Sequence, residues 1–175
     1  MTTAEGRALH KIHAGLLGLM VVMPAYSATT QSFQVGATIT PGCSVVSGSG
    51  GNFGSLNFGT HSGVESGIVS NAFIPSTSLE LACTPGVALS MSIDGGKNYT
   101  SIRNMVRTGS SEKVPYRLYT SGALTANTEI LVNQVVAITY SNSNNITLPI
   151  FGAAQLTGMS PAGTYTDQLT VTLSW

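Results

Sequence analysis

Few residues in this chain have chemistry to offer. Cys43 and Cys83 are its two cysteines. Beyond residue 27 there is one histidine, His61, and six carboxylates: Glu65, Glu80, Asp94, Glu112, Glu129 and Asp167. An acid, base or nucleophile works only when such groups cluster. None of these lies in a recognised catalytic spacing. Asp94 opens an Asp94-Gly95-Gly96 turn, where aspartate is ordinary. Two cysteines and one histidine are too few for a metal site. The chain therefore reads as a non-enzyme, with no catalytic, cofactor-binding or metal-ligating residue. Tyr116 and Tyr119 could line a ligand site in a monomeric secreted binding module, but aromatic residues in strands more often fill a core.

The two cysteines take their meaning from the start of the chain. Arg7 and Lys11 form a basic leader. Residues 14–23, AGLLGLMVVM, are a ten-residue apolar run, too short to span a bilayer and suited to a signal-peptide core. Pro24 breaks it. Ala25 and Ser27 are small residues at signal-peptidase spacing, so cleavage is expected before Ala28, with Thr29 the alternative. No second apolar run follows, so the exported chain is not expected to span a membrane. Export brings an oxidising compartment. A Cys43–Cys83 bridge would close a loop of about forty residues and stabilise the fold by roughly 4 kcal/mol in the chain-entropy model. Two free thiols are the other reading.

Composition narrows the class further. The 175 residues are 42% hydrophobic, enough for a core, but only 8% charged, against roughly 25% in an ordinary domain. Seven basic and seven acidic residues cancel. No basic patch is available to neutralise phosphates, so nucleic acid is excluded as a partner. So few charges also leave little repulsion against self-association.

Two amphipathic stretches stand at opposite ends. Phe33, Val35, Ala37 and Ile39 alternate with Gln34, Gly36, Thr38 and Thr40, the period of a half-buried strand. Pro41-Gly42 then punctuates it before Cys43. This strand could pair within its own domain, or leave it across the Pro-Gly hinge. Residues 163–175, GTYTDQLTVTLSW, repeat the pattern: Leu169, Val171, Leu173 and Trp175 share the apolar face. Ending there, the strand is expected to carry an unpaired edge, and apolar edges recruit other chains.

Everything between reads as short strands and turns. Residues 44–52 are a Ser/Gly loop and 53–58 a short strand. Residues 59–70 are loop-like, and 78–83 and 87–93 are strands joined by Thr84-Pro85-Gly86. Residues 102–107, 114–119, 130–140 and 146–151 continue the strands, and 156–164 form the last loop. No window holds a 3.6-residue apolar period. The expectation is all-β, as a sandwich or barrel.

The chain resembles the spore coat protein U domain family, and most closely the major subunits of Csu-type archaic chaperone–usher pili. The marks are residues 33–39 with Pro41-Gly42-Cys43, then Phe53-Gly54-Ser55-Leu56-Asn57-Phe58-Gly59 and Ile93-Asp94-Gly95-Gly96. Pro115-Tyr116-Arg117-Leu118-Tyr119 and Pro149-Ile150-Phe151-Gly152 follow, and Gly163, Tyr165 and Asp167 lead into the last strand. The resemblance implies an incomplete immunoglobulin-like β-sandwich, completed by a donor strand from a neighbouring subunit. It implies a signal peptide at 1–27, a donor extension at 28–42 and one pilin domain at 43–175. Phe33, Val35, Ala37 and Ile39 would be the donor residues. Leu169, Val171, Leu173 and Trp175 would line the acceptor groove and meet the chaperone. The implied partners are a periplasmic chaperone, an outer-membrane usher, neighbouring copies of the chain and a tip adhesin. A coat or matrix protein of a resting cell is the other role the family allows.

Overall fold

A computed structural model describes residues 31–46, 52–77 and 79–175. The expected signal peptide lies outside the described residues. The chain divides into two units, 1–38 and 39–175. In the first, the described residues are exposed and carry no strand pairing.

Among the described residues, the second unit is all β apart from a 3-10 turn at Ala126–Thr128. Its strands are β1 (Cys43–Val46), β2 (Gly54–Ser55), β3 (Ser66–Ala72), β4 (Ile74–Pro75), β5 (Glu80–Cys83) and β6 (Leu89–Ile93). They continue as β7 (Arg103–Arg107), β8 (Lys113–Tyr119), β9 (Val136–Ile138), β10 (Phe151–Thr157), β11 (Tyr165–Thr166) and β12 (Val171–Ser174). One sheet runs β11-β7-β8-β10-β3. Against it stand the sheets β12-β6-β9 and β1-β5, and β2 pairs with β4. Every pairing is antiparallel.

Alternation builds the layers. In β6, Leu89, Met91 and Ile93 are buried while Ser90 and Ser92 lie nearer solvent. In β8, Val114, Tyr116 and Leu118 turn inward and Lys113 and Arg117 outward. The two inward faces meet in one apolar cluster with Leu81, Ile130, Ile138 and Ala154, as expected of a sandwich.

Several boundaries differ from the sequence reading. Residues 44–46 belong to β1 rather than to the Ser/Gly loop, and of residues 130–140 only Val136–Ile138 form a strand. Residues 66–70 belong to β3, not to a loop. This edge strand exposes most of its side chains, so it shows no apolar alternation to read. Residues 156 and 157 extend β10 rather than opening the last loop. Of residues 53–58, only Gly54–Ser55 form a strand, while Phe53, Leu56 and Phe58 pack on the core. Residues 146–150 carry the expected alternation, with Ile146, Leu148 and Ile150 buried. They bond along β5 and beside β3 without a continuous ladder: Ile146 N donates to Leu81 O at 2.9 Å, and Phe73 N to Ile150 O at 2.9 Å.

Candidate functional site

The last strand is one of the open edges of the sandwich among the described residues. Among the described residues, β12 pairs with β6 alone. Its register is Val171↔Ile93, Thr172↔Ser92, Leu173↔Met91 and Ser174↔Ser90. Just before it, Asp94 N donates to Thr170 O at 3.1 Å. That rung sets the parity of the ladder: hydrogen-bonded pairs fall at Thr170, Thr172 and Ser174. The backbone N–H and C=O groups of Val171 and Leu173 therefore face the free edge, while their side chains turn inward. Leu169, Val171 and Leu173 are half-buried against the core. Trp175 is different: 58% of it is exposed.

β1 is open in the same way, pairing only with β5 among the described residues. Thr84 N donates to Gly42 O at 2.8 Å, so the next hydrogen-bonded pair is Ser44↔Ala82 and the backbone of Cys43 and Val45 faces outward. The Cys43–Cys83 bridge is formed, between Cα atoms 4.0 Å apart in the register of β1 and β5. It ties the first residue of an edge strand to the core, where Cys83 is buried.

Phe33, Val35 and Ile39 are exposed to 86%, 83% and 86%, and Ala37 is exposed as well. Three large apolar side chains of this segment thus lie open to solvent. Placing Phe33 and Ile39 in water forgoes about 1.5–3 kcal/mol each relative to a buried site.

Two polar arrangements escaped sequence reading. His61 Nδ1 meets Glu65 at 3.0 Å, and its Nε2 lies 2.7 Å from the Phe58 carbonyl. With an acceptor at each ring nitrogen, the imidazolium is favoured. The Phe58 hydrogen bond first, then Glu65, raises the His61 pKa. The second arrangement is a node at one end of the sandwich. The Tyr116 hydroxyl donates to Asp167 Oδ2 at 2.7 Å. Arg103, 4% exposed, donates to the carbonyls of Asp94, Ile130 and Ile93 at 2.9, 2.7 and 3.0 Å. Burial lowers the Arg103 pKa. The sequence signal for the node was its motifs, since its members lie far apart along the chain.

Among the described residues, no helix is long and apolar enough to cross a membrane, and no group of three or more His, Cys, Asp or Glu gathers to hold a metal.

The fold and this edge define the class: an immunoglobulin-like β-sandwich with a one-sided terminal strand. The chain belongs to the Spore Coat Protein U domain family, whose model matches residues 29–172. No curated protein matches it. In fold it is similar to a chain in the crystal structure of the CsuC–CsuE chaperone–tip adhesion subunit pre-assembly complex, from the archaic chaperone–usher Csu pili of Acinetobacter baumannii. That match has 18% identity and a TM-score of 0.50, over 79% of this chain and 40% of that one. This chain therefore spans less than half the length of that one. A chain from a structure of the chaperone–tip adhesin complex in CFA/I fimbriae biogenesis is similar at 14% identity and a TM-score of 0.41, over 69% of this chain and 38% of that one.

Proposed function

We propose that the chain is a structural pilus subunit of an archaic chaperone–usher fibre, and that it has no catalytic role. The observation that carries this is the pair of unpartnered complements. Among the described residues β12 keeps an open edge with a half-buried apolar face, and Phe33, Val35, Ala37 and Ile39 are exposed.

Residues 28–42 are the donor extension, and 43–175 the accepting domain. Phe33, Val35, Ala37 and Ile39 of one copy enter the groove beside β12 of the next. Burying the three large side chains gives roughly 5–8 kcal/mol gross. Each backbone hydrogen bond of the added ladder contributes about 0.5–1.5 kcal/mol. This is strand addition: the ladder supplies affinity and the alternate side chains fill pockets. The contact is head-to-tail and grows an open filament.

Before assembly the groove is covered by a periplasmic chaperone, exchanged at an outer-membrane usher, and the fibre ends in a tip adhesin. Export to the periplasm and then the cell surface of a Gram-negative cell, with roles in adhesion and biofilm formation, completes the reading. A coat role on a resting cell would use the same polymer chemistry.

The test is displacement. The full-length chain is isolated from the periplasm in its chaperone complex and incubated with a synthetic peptide of residues 29–42. Release of the chaperone and retention of the peptide are expected. A chain that purifies as a stable monomer, with no chaperone and no affinity for the peptide, contradicts the proposal.

A further inference from the structure

We infer that Asp167 is a positioning residue for the strand-accepting edge: its carboxylate, held by Tyr116 and Asn98, fixes where β12 begins. The inference rests on the reading that the free edge of β12 takes the added strand.

Three of the six sequence marks converge on this carboxylate. The Tyr116 hydroxyl, from β8 in the opposite layer, donates to Oδ2 at 2.7 Å. Asn98, just past the Ile93-Asp94-Gly95-Gly96 turn, donates to Oδ1 from its backbone at 3.2 Å and from Nδ2 at 3.0 Å. The same Nδ2 donates to Thr166 O at 3.3 Å. Gly96 has φ +81°, and a Cβ there would collide with the Asp167 carboxylate. That backbone conformation and that close approach both call for glycine.

Around the carboxylate, the neighbouring backbone is held too. Lys97 N donates to Gln168 O at 3.2 Å. Asp94 Oδ1 accepts from Gly96 N and Thr170 N, each at 2.9 Å. Residues 166, 167, 168 and 170 are thus each bonded to the 94–98 turn or to β8. After Thr170 these supports stop, and β12 has only β6 beside it among the described residues.

A four-residue edge strand needs such a start. A slip of one residue would turn Val171 and Leu173 outward and offer the wrong amides to an incoming strand. The Thr170–Asp94 rung prevents this, and Asp167 holds the chain at that rung. Burial, then the bond to Asp167, pushes the Tyr116 hydroxyl well above its usual range, so it remains a donor wherever the protein works.

The experiment compares wild type with Asp167→Ala, Asp167→Asn and Tyr116→Phe, each as the full-length chain from the periplasm. Amide hydrogen exchange is read by segment, and capture of the 29–42 peptide is read by affinity. In Asp167→Ala, exchange over 168–175 should rise by about tenfold or more while β5 and β8 keep their protection. Peptide affinity should fall by a similar factor. Asp167→Asn keeps acceptor oxygen and should fall between Ala and wild type. If Asp167→Ala does not fold, Tyr116→Phe, which deletes one oxygen, carries the test. Unchanged exchange over 168–175, or a rise spread evenly over the domain, overturns the positioning role. So does undiminished capture by a variant whose wild type captures well. If wild type captures no peptide, the docking reading fails, whatever β12 does.

Discussion

Gly42 lies against the indole of Trp175: a Cβ built on the glycine would sit 3.9 Å from Trp175 Nε1. The start of β1 and the end of β12, both strands with a free edge, are therefore neighbours. A strand added along β12 passes the most exposed large side chain of that edge, and Trp175 is the one tryptophan in the chain.

Trp175 should therefore report strand addition directly. Its emission in the unoccupied domain is expected to be that of a solvated indole. On capture of the donor peptide it should shift to shorter wavelength and become less accessible to a neutral quencher. An unchanged spectrum with peptide bound would mean that the added strand lies elsewhere.

The Cys43–Cys83 bridge holds the base of β1, across a separation of 40 residues. Cys83→Ser should lower stability by roughly 4 kcal/mol in the chain-entropy model, and periplasmic yield with it. Mass spectrometry without reductant should find the two cysteines joined and neither alkylated.

His61 gives the loop a pH dependence whose sign follows from its two acceptors. Its folded pKa is raised, so the contact's contribution is fully present below the unfolded value of about 6.5. It is lost as pH rises through the higher folded value. An NMR titration should place His61 above a free histidine, and Glu65→Gln should bring it back down. Being exposed, the pair should matter little globally. His61→Ala should leave assembly nearly unchanged, and a large loss of fibres with normal folding would return attention to His61 as a site.

What was legible in the sequence followed from burial. Leu89, Met91 and Ile93, or Val114, Tyr116 and Leu118, alternate because one side of their strand meets the core, and that period is visible in the letters. β3 was not legible, because Ile68 and Val69 stand side by side among Ser, Gly and Asn and the edge strand buries too little to leave a pattern. The cysteine pair was legible because nothing else could bond it. The Asp167 node was present only as motifs. Tyr116 lies 51 positions from Asp167 and Asn98 lies 69, so only the folded sandwich brings them together. Asp94 looked like an ordinary turn residue, and it is one, but the same oxygen also holds Thr170.

If Phe33, Val35, Ala37 and Ile39 serve the neighbouring copy and not their own domain, Ile39→Asp should separate fibre formation from folding. Fibre formation is measured by electron microscopy alongside recovery of the chaperone-bound subunit, with Gln34→Ser and Thr38→Ser on the opposite face as controls. A carboxylate buried there without a partner costs several kcal/mol. Ile39→Asp should yield normal chaperone-bound subunit and no fibres, while both controls polymerise. Normal fibres from Ile39→Asp, or failure of the chaperone-bound subunit itself to fold, would contradict it.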